Sequence, residues 1–291
     1  MSTATPGYLG PFRLLNVVHT GHASQIWQAY DDRGQRRVCV KTLLEGFRRD
    51  REQIGYLRRE YAIGQELLHP NVIRIEGYDV DRGRPYVVIE WFAAPNMKSR
   101  IRQGTGPMVH LLEGIIEQAA MGLEVLHNAG YVHRDVKPEN FLVSDEGEVK
   151  LIDFALAHRS RRGLAKWFAR APKLQGTRSY MAPEQIRCAA ADPRADLYSF
   201  ACVVFELLSG KPPFTGNTAN ELLTKHLKAA PPSLEPVDKN LTAEFAQLIR
   251  RSMAKRPEER PESMTDFLMD FRRLRMWRVT PRRPASETTR S

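Results

Sequence analysis

The run HRDVKPEN, His133 to Asn140, sets an aspartate, a lysine and an asparagine at spacings of two and five residues. Eighteen residues beyond Asp135 stands Asp153, in LIDFA. The stretch between them, NFLVSDEGEVKLI, reads as a hairpin turning at Asp145–Gly147. A hairpin of that length brings Asp153 back beside Asp135 and Asn140. Two carboxylates and an amide oxygen, converging with Lys137, suit a divalent cation and phosphate, and hard oxygen ligands favour magnesium. One carboxylate is then left to accept a hydroxyl proton. Far upstream, the loop in VVHTGHASQIW precedes a strand ending in Lys41, VCVK. That is where a phosphate-covering glycine loop sits, yet this loop carries one glycine, Gly21.

Several elements must position these groups. FRLLNVV (12–18), SQIWQAY (24–30) and RRVCVKT (36–42) read as strands, with DDRG (31–34) as a hairpin turn in which Gly34 supplies a positive φ. Residues 50–68 read as a helix rich in i,i+4 charge pairs, closed before Pro70. NVIRIEGYDV and RPYVVIEWF give two further strands around DRG. The first 92 residues therefore form a small strand-rich lobe with one helix. Beyond APN (94–96) the period becomes helical: 109–130, stopped by Gly130, then 194–209, 217–229, 241–254 and 262–276.

Bulk properties narrow the class. The chain has 291 residues, enough for one large domain or two lobes. Its net charge of +10 favours anionic partners without naming one. Three cysteines, with no CxxC, fit neither a disulfide framework nor a structural zinc site. No signal segment and no run of about 18 apolar residues stands in the sequence, so the expected setting is cytoplasmic, with no transmembrane segment. No basic–aromatic nucleic-acid module is present, and no nucleic-acid partner is expected.

These motifs together resemble the eukaryotic-like (Hanks-type) protein kinases, most closely their bacterial serine/threonine members. The resemblance runs over about residues 12–276. Lys41 matches the strand lysine on the α/β phosphates and Glu60 the helix glutamate that pairs with it. HRDVKPEN matches the catalytic loop, Asp153 the metal-binding aspartate, and APE (182–184) the end of the activation segment. Asp196 matches the helix aspartate that braces the catalytic loop, and Arg260 the arginine that pairs with Glu184. Singly, each is weak: a lone strand lysine is usually a surface charge, and a lone helix aspartate a cap. Their order and spacing carry the resemblance.

The resemblance implies an α+β, two-lobed protein-kinase fold. A small antiparallel-sheet N-lobe with one helix (12–92) precedes a larger, mainly helical C-lobe (93–276), between a flexible lead-in (1–11) and a disordered tail (277–291). It implies transfer of the γ-phosphate of ATP to protein Ser/Thr hydroxyls, with Mg²⁺. Asp135 would take the hydroxyl proton, Lys137 neutralise the γ-phosphate, Asn140 and Asp153 hold magnesium, and Lys41, held by Glu60, bind the α/β phosphates. Nucleotide contacts would come from Val18, Gly21, Ser24, Ile26, Cys39, Leu142 and the backbone of Glu90 to Phe92, with Ile89 behind. Lys137 and Thr177 are placed as in serine/threonine rather than tyrosine kinases.

Four departures complicate this. The family's G-x-G-x-x-G loop reads His19-Thr20-Gly21-His22-Ala23-Ser24, which implies altered nucleotide binding through lost close backbone approach. Ala155 replaces the glycine after Asp153-Phe154, and Ala201 a small glycine in the central helix. Six Arg/Lys lie between 159 and 173, with no acidic residue, and no Ser, Thr or Tyr stands between Arg161 and Gly176. Phosphate-driven ordering of the middle of that segment therefore cannot occur in the usual way. Leu164, Trp167 and Phe168 are spaced for a short amphipathic helix. Its apolar face would dock on the large lobe, meet an acidic partner or substrate, or lie on an anionic membrane. An alternative function is a catalytically impaired, kinase-like nucleotide-binding scaffold.

Overall fold

The computed structural model describes residues 7–160, 176–189 and 192–283. The basic run at 161–173, with the amphipathic spacing of Leu164, Trp167 and Phe168, lies outside the described residues. The chain divides into two compact units. The first runs to Ala93 and includes Asp153–Ala157; the second takes Ala94–Ile152 and everything from His158.

The first unit is one antiparallel sheet and one helix. Its strands are β1 (Tyr8–Leu9), β2 (Phe12–Thr20), β3 (Ser24–Asp31), β4 (Arg36–Leu43), β5 (Ile75–Asp81) and β6 (Arg84–Glu90), in the order β1-β2-β3-β4-β6-β5. Alternation puts Leu14, Ala29, Val38, Val40, Tyr86 and Val88 into one buried cluster. Two bulges interrupt the β2–β3 register, and the second leaves Val18 unpaired between Val17↔Trp27 and His19↔Ile26. Helix α1 (Arg51–Glu66) starts at Asp50, whose carboxylate accepts from the N–H of Glu52 and Gln53. It lies so close to β5 that a Cβ on Gly64 would sit 2.1 Å from Ile75, so only glycine fits there.

The second unit is mainly helical. α2 (Met97–Gln103), α3 (Leu112–Asn128), α4 (Pro183–Ile186), α5 (Pro193–Ser209), α6 (Ala219–Lys228), α7 (Ala243–Ser252) and α8 (Met264–Arg273) are joined by the short strands β7 (Tyr131–Val132), β8 (Phe141–Val143), β9 (Val149–Leu151) and β10 (His158–Arg159). α5 is buried from Ala195 to Leu207, the pattern of a helix enclosed on every side, and Ala201 lies fully inside it. β8 and β9 pair antiparallel as the expected hairpin, with Gly147 at φ +82 in its turn. Gly130 ends α3's turn at φ +84.

Three expectations are corrected and one element is added. The lead-in is not wholly loose, because Leu9 is buried and β1 pairs with β2. In the turn after β3 the positive φ falls on Gln35, not Gly34, because Asp31 Oδ1 accepts from the N–H of Arg33 and Gly34 and pushes the reversal one residue on. α2 was not anticipated; it is short, and its start rests on Asn96 capping the Ser99 N–H. The tail begins later than 277: Trp277 is buried and bridges to Leu241, and the Arg278 and Val279 N–H groups donate to Asn240.

Candidate active site

In the first unit, β4 presents Lys41 toward α1. Lys41 is 8% exposed, and its Nζ donates to Glu60 Oε2 at 2.7 Å and to Asp153 Oδ1 at 3.2 Å. Glu60 is 2% exposed. One ammonium thus serves two carboxylates. Burial pushes the Glu60 carboxyl up to about 6; the Lys41 charge opposes this and the Asp153 charge adds to it. Burial works against the Lys41 charge, but the charges of Asp153 and Glu60 outweigh it and hold the ammonium protonated. The two acids raise the lysine, while burial, with the Asp153 charge added, raises Glu60, so both groups shift upward.

Asp153 sits at φ +66, a left-handed conformation unusual for aspartate. Ala155 is not at positive φ, so the glycine it replaces is not needed for this backbone. Phe154 is fully buried beside it.

The loop between β2 and β3 answers the question of the missing glycines. No residue from His19 to Ser24 has a positive φ. The turn is closed by the Gly21 N–H donating to the Ser24 carbonyl at 2.9 Å, and it is tethered by the Leu44 N–H donating to the Ala23 carbonyl at 2.9 Å. The His22 ring meets Phe47 edge-on with centroids 5.2 Å apart. His19 is an exposed member of β2. L-residues fit this path without backbone strain.

Of the remaining nucleotide candidates in this unit, Val18 is exposed in the bulge and Ser24, Ile26 and Cys39 are half-buried on β3 and β4. Burial pushes the Cys39 thiol up to about 12, so it acts as an apolar wall. Ile89 is buried near the end of β6. The Glu90 N–H donates to the Arg74 carbonyl at 3.0 Å, and its carboxylate accepts from the Arg74 N–H at 2.9 Å. Phe92 is half-buried just beyond.

In the second unit, Asp135 is held from three sides. Its Oδ1 accepts from the Thr177 N–H at 2.8 Å and the Thr177 hydroxyl at 3.0 Å, while Lys137 Nζ donates to Oδ2 at 2.5 Å. Asn140 is 4% exposed, and its Nδ2 donates to the Asp135 carbonyl at 2.8 Å. That spends the amide nitrogen and leaves the amide oxygen as the side chain's acceptor. Gly176 stands at φ +112, where a Cβ would lie 2.9 Å from the Arg134 carbonyl; Thr177 reaches Asp135 only because that position is glycine. Leu142, on β8, is half-buried.

Beneath the loop lies buried Asp196. Its carboxylate accepts from the N–H of His133 at 2.6 Å and of Arg134 at 2.8 Å, with His127 Nε2 at 2.9 Å. This brace holds Arg134 at φ +69. The sequence reading missed His127: a single histidine near the end of a long helix gives no signal by itself. It also missed Lys98 and Tyr180, which both engage buried Glu206. Arg260 donates to Glu184 Oε1 at 2.7 Å and Oε2 at 2.9 Å, as the pairing required.

The two clusters divide the expected residues cleanly: Lys41, Glu60 and Asp153 meet in the first unit, and Asp135, Lys137, Asn140 and Thr177 in the second. A buried lysine held by two acids offers a fixed positive charge, and an aspartate clamped beside a lysine offers an oriented proton acceptor. The protein kinase domain profile matches residues 12–270. The serine/threonine-protein kinase PknA of Mycobacterium tuberculosis is 36% identical over 284 residues, 94% of this chain and 63% of that protein. PknL of the same organism, also a serine/threonine-protein kinase, is 32% identical over 244 residues, 84% and 60% of the two chains. A probable serine/threonine-protein kinase of Streptomyces coelicolor is 29% identical over 270 residues, 90% and 39%. The chain belongs to the protein kinase family. It spans about three-fifths of the length of PknA and PknL. Among the described residues no helix is long and apolar enough to cross a membrane.

Proposed function

We propose that this chain is an ATP-dependent serine/threonine protein kinase. The observation that carries the reading is the clamped carboxylate of Asp135, with both oxygens engaged and Lys137 beside it. A substrate hydroxyl oxygen attacks the γ-phosphorus as the bond to the β-phosphate bridging oxygen breaks, and the hydroxyl proton passes to Asp135. Thr177 fixes which way the carboxylate faces. Lys137 neutralises charge on the γ-phosphate. Lys41, kept charged by its two acids, holds the α/β phosphates, and Glu60 fixes Lys41. The transition state is loose, so these contributions are positional and electrostatic.

Asn140 and Asp153 supply hard oxygen donors, one amide and one carboxylate, which fit magnesium. When bound, the metal neutralises phosphate charge. Ile26, Cys39 and the bulged Val18 give apolar surface for the base in the first unit, and Leu142 does so in the second. Glu90 has already spent its N–H, so it meets the adenine edge through its carbonyl, beside Phe92. Gly21 and Ser24 shape the turn over the phosphates. The basic run at 159–173 favours an acidic protein partner or substrate.

A catalytically impaired scaffold has less support. None of the five charged groups, Lys41, Glu60, Asp135, Lys137 and Asp153, is missing, and the Lys41–Glu60 pair is formed. The test is phosphate transfer from Mg·ATP to the protein itself and to one acidic and one basic acceptor protein, followed by mass spectrometry. Transfer by the parent, lost in Asp135→Asn and in Lys41→Met, is the expected result. No transfer by the parent, with nucleotide still raising its melting temperature, would convert the reading to a nucleotide-binding scaffold.

A further inference from the structure

Two consecutive residues of α1 grip the segment that carries Asp153. Glu60 acts through Lys41, which donates to Asp153 Oδ1 at 3.2 Å. Arg59 acts directly: its Nη1 donates to the Ala155 carbonyl at 3.2 Å. Between the grips the backbone holds Asp153 at φ +66. The Ala155 N–H turns back toward Asp153 Oδ1 at 3.4 Å, and the Ala157 N–H donates to the Phe154 carbonyl at 3.0 Å. Buried Phe154 pins the middle of the turn.

The Arg59 side chain is itself oriented. Its guanidinium lies 5.6 Å from the centre of the Tyr56 ring, one turn earlier on α1, and the Tyr56 hydroxyl donates to Glu52 Oε1 at 3.1 Å. Half-buried and stacked, it loses little freedom by holding a carbonyl. A planar guanidinium at this distance fixes the carbonyl's direction, and that carbonyl lies two residues from Asp153.

We propose that Arg59 is a positioning residue for Asp153: by holding the Ala155 carbonyl it keeps the carboxylate in the left-handed arrangement from which it meets metal and nucleotide. Lys41 fixes the side chain at its tip, and Arg59 fixes the backbone behind it. Without Arg59 the turn relaxes toward ordinary φ, and the carboxylate swings. The inference rests on the kinase reading for the role of Asp153, but the clamp itself is testable apart from it.

The experiment uses the full chain with Arg59→Ala and Arg59→Lys. Amide hydrogen exchange of the 153–157 peptide is measured first, without nucleotide, because it reads the clamp whether or not phosphate is transferred. Arg59→Ala is expected to speed exchange there while the nucleotide-free melting temperature stays near the parent's. The Mg²⁺ concentration that half-saturates transfer should rise about fivefold to tenfold, the fold-change of one hydrogen bond of ordinary net strength, with KM for ATP at saturating Mg²⁺ little changed. The extra rise in melting temperature that Mg²⁺ gives over ADP alone should shrink in parallel. Arg59→Lys, which keeps a cationic donor, should recover part of each effect. Parent-like exchange in Arg59→Ala would overturn the clamp. Faster exchange with an unchanged Mg²⁺ requirement would overturn the positioning role. Equal impairment of both variants, with a lowered nucleotide-free melting temperature, would reduce Arg59 to a structural residue. A parent that neither transfers phosphate nor responds to Mg²⁺ removes the kinase reading and the positioning role with it, yet leaves the exchange result to judge the clamp.

Discussion

Arg260 shows how much one buried side chain can hold. Its guanidinium is wholly buried and donates to both Glu184 oxygens and to the carbonyls of Ala254, Arg194 and Lys255. Glu184→Ala removes the counter-charge but leaves the arginine buried, so it should cost about 3–5 kcal/mol of unfolding free energy. Denaturant titration measures this, and a loss within error would show the pair to be dispensable. Motif spacing alone marks this pair in the sequence. Nothing in the sequence marks His226, a histidine on a polar helix that proves fully buried, with Nδ1 3.0 Å from the Tyr198 hydroxyl and its ring against Phe214. Burial, and then the charge of Lys255, lower its pKa to about 4. The unfolded histidine takes its proton near pH 6.5, well before the folded one does. Stability present above pH 6.5 is therefore lost as pH falls toward 4, by about 3 kcal/mol at most from this group. Urea midpoints of the parent and of His226→Gln between pH 7 and 4 check the slope, which should be shallower in the variant. Equal slopes would mean that His226 does not stay neutral in the fold.

Elements were legible where one face is buried and the other wet. The alternation of β2, β3 and β4, the 3.6-residue period of α1 and α3, and the hairpin before Asp153 all follow from that rule. α2 escaped because seven residues behind Pro95 give too short a period. The phosphate-side loop is legible only in part, for a different reason. Its sequence shows what is missing, three glycines reduced to one, but not what replaces them. The replacement is remote: Phe47, in the short turn Glu45–Phe47 after β4, meets the His22 ring, while Leu44 holds Ala23. The loop is thus shaped by anchors rather than by glycine freedom, and anchoring should compensate for lost adaptability. Phe47→Ala should weaken ATP binding about threefold, the value of one aromatic pair, with kcat at saturating ATP largely kept. His22→Ala should do the same, and the double variant no more than either alone, because they share one contact. ATP titrations of the three variants decide it; additive losses would show that the two rings act separately.

At the scale of the whole molecule, composition bounded the answer and motifs supplied it. Neither the +10 charge nor 291 residues names a reaction, whereas motifs in one order over residues 12–276 mark the fold class and name the candidate site. What the sequence could not mark was where the folded chain stops. The run from Trp277 on is rich in arginine and proline and reads as tail. Yet Met276 and Trp277 are buried, the Thr242 N–H donates to the Met276 carbonyl, and Asn240 exchanges backbone and side-chain bonds with Arg278 and Val279. Burial here depends on a partner segment, Asn240–Thr242, that is distant in sequence, and a local composition rule cannot see it. These residues close the entry to α7, since Thr242 caps that helix and also donates to the Arg275 carbonyl. A chain ending at Met276 should therefore lose about 3–5 kcal/mol relative to one ending at Arg283, close to the cost of removing a buried tryptophan. Trp277→Ala in the longer chain should account for most of that loss, with the remainder assigned to the Asn240 contacts. If the two chain lengths unfold at the same denaturant midpoint, the strand-like closure at Trp277 adds nothing, and the folded unit ends with α8.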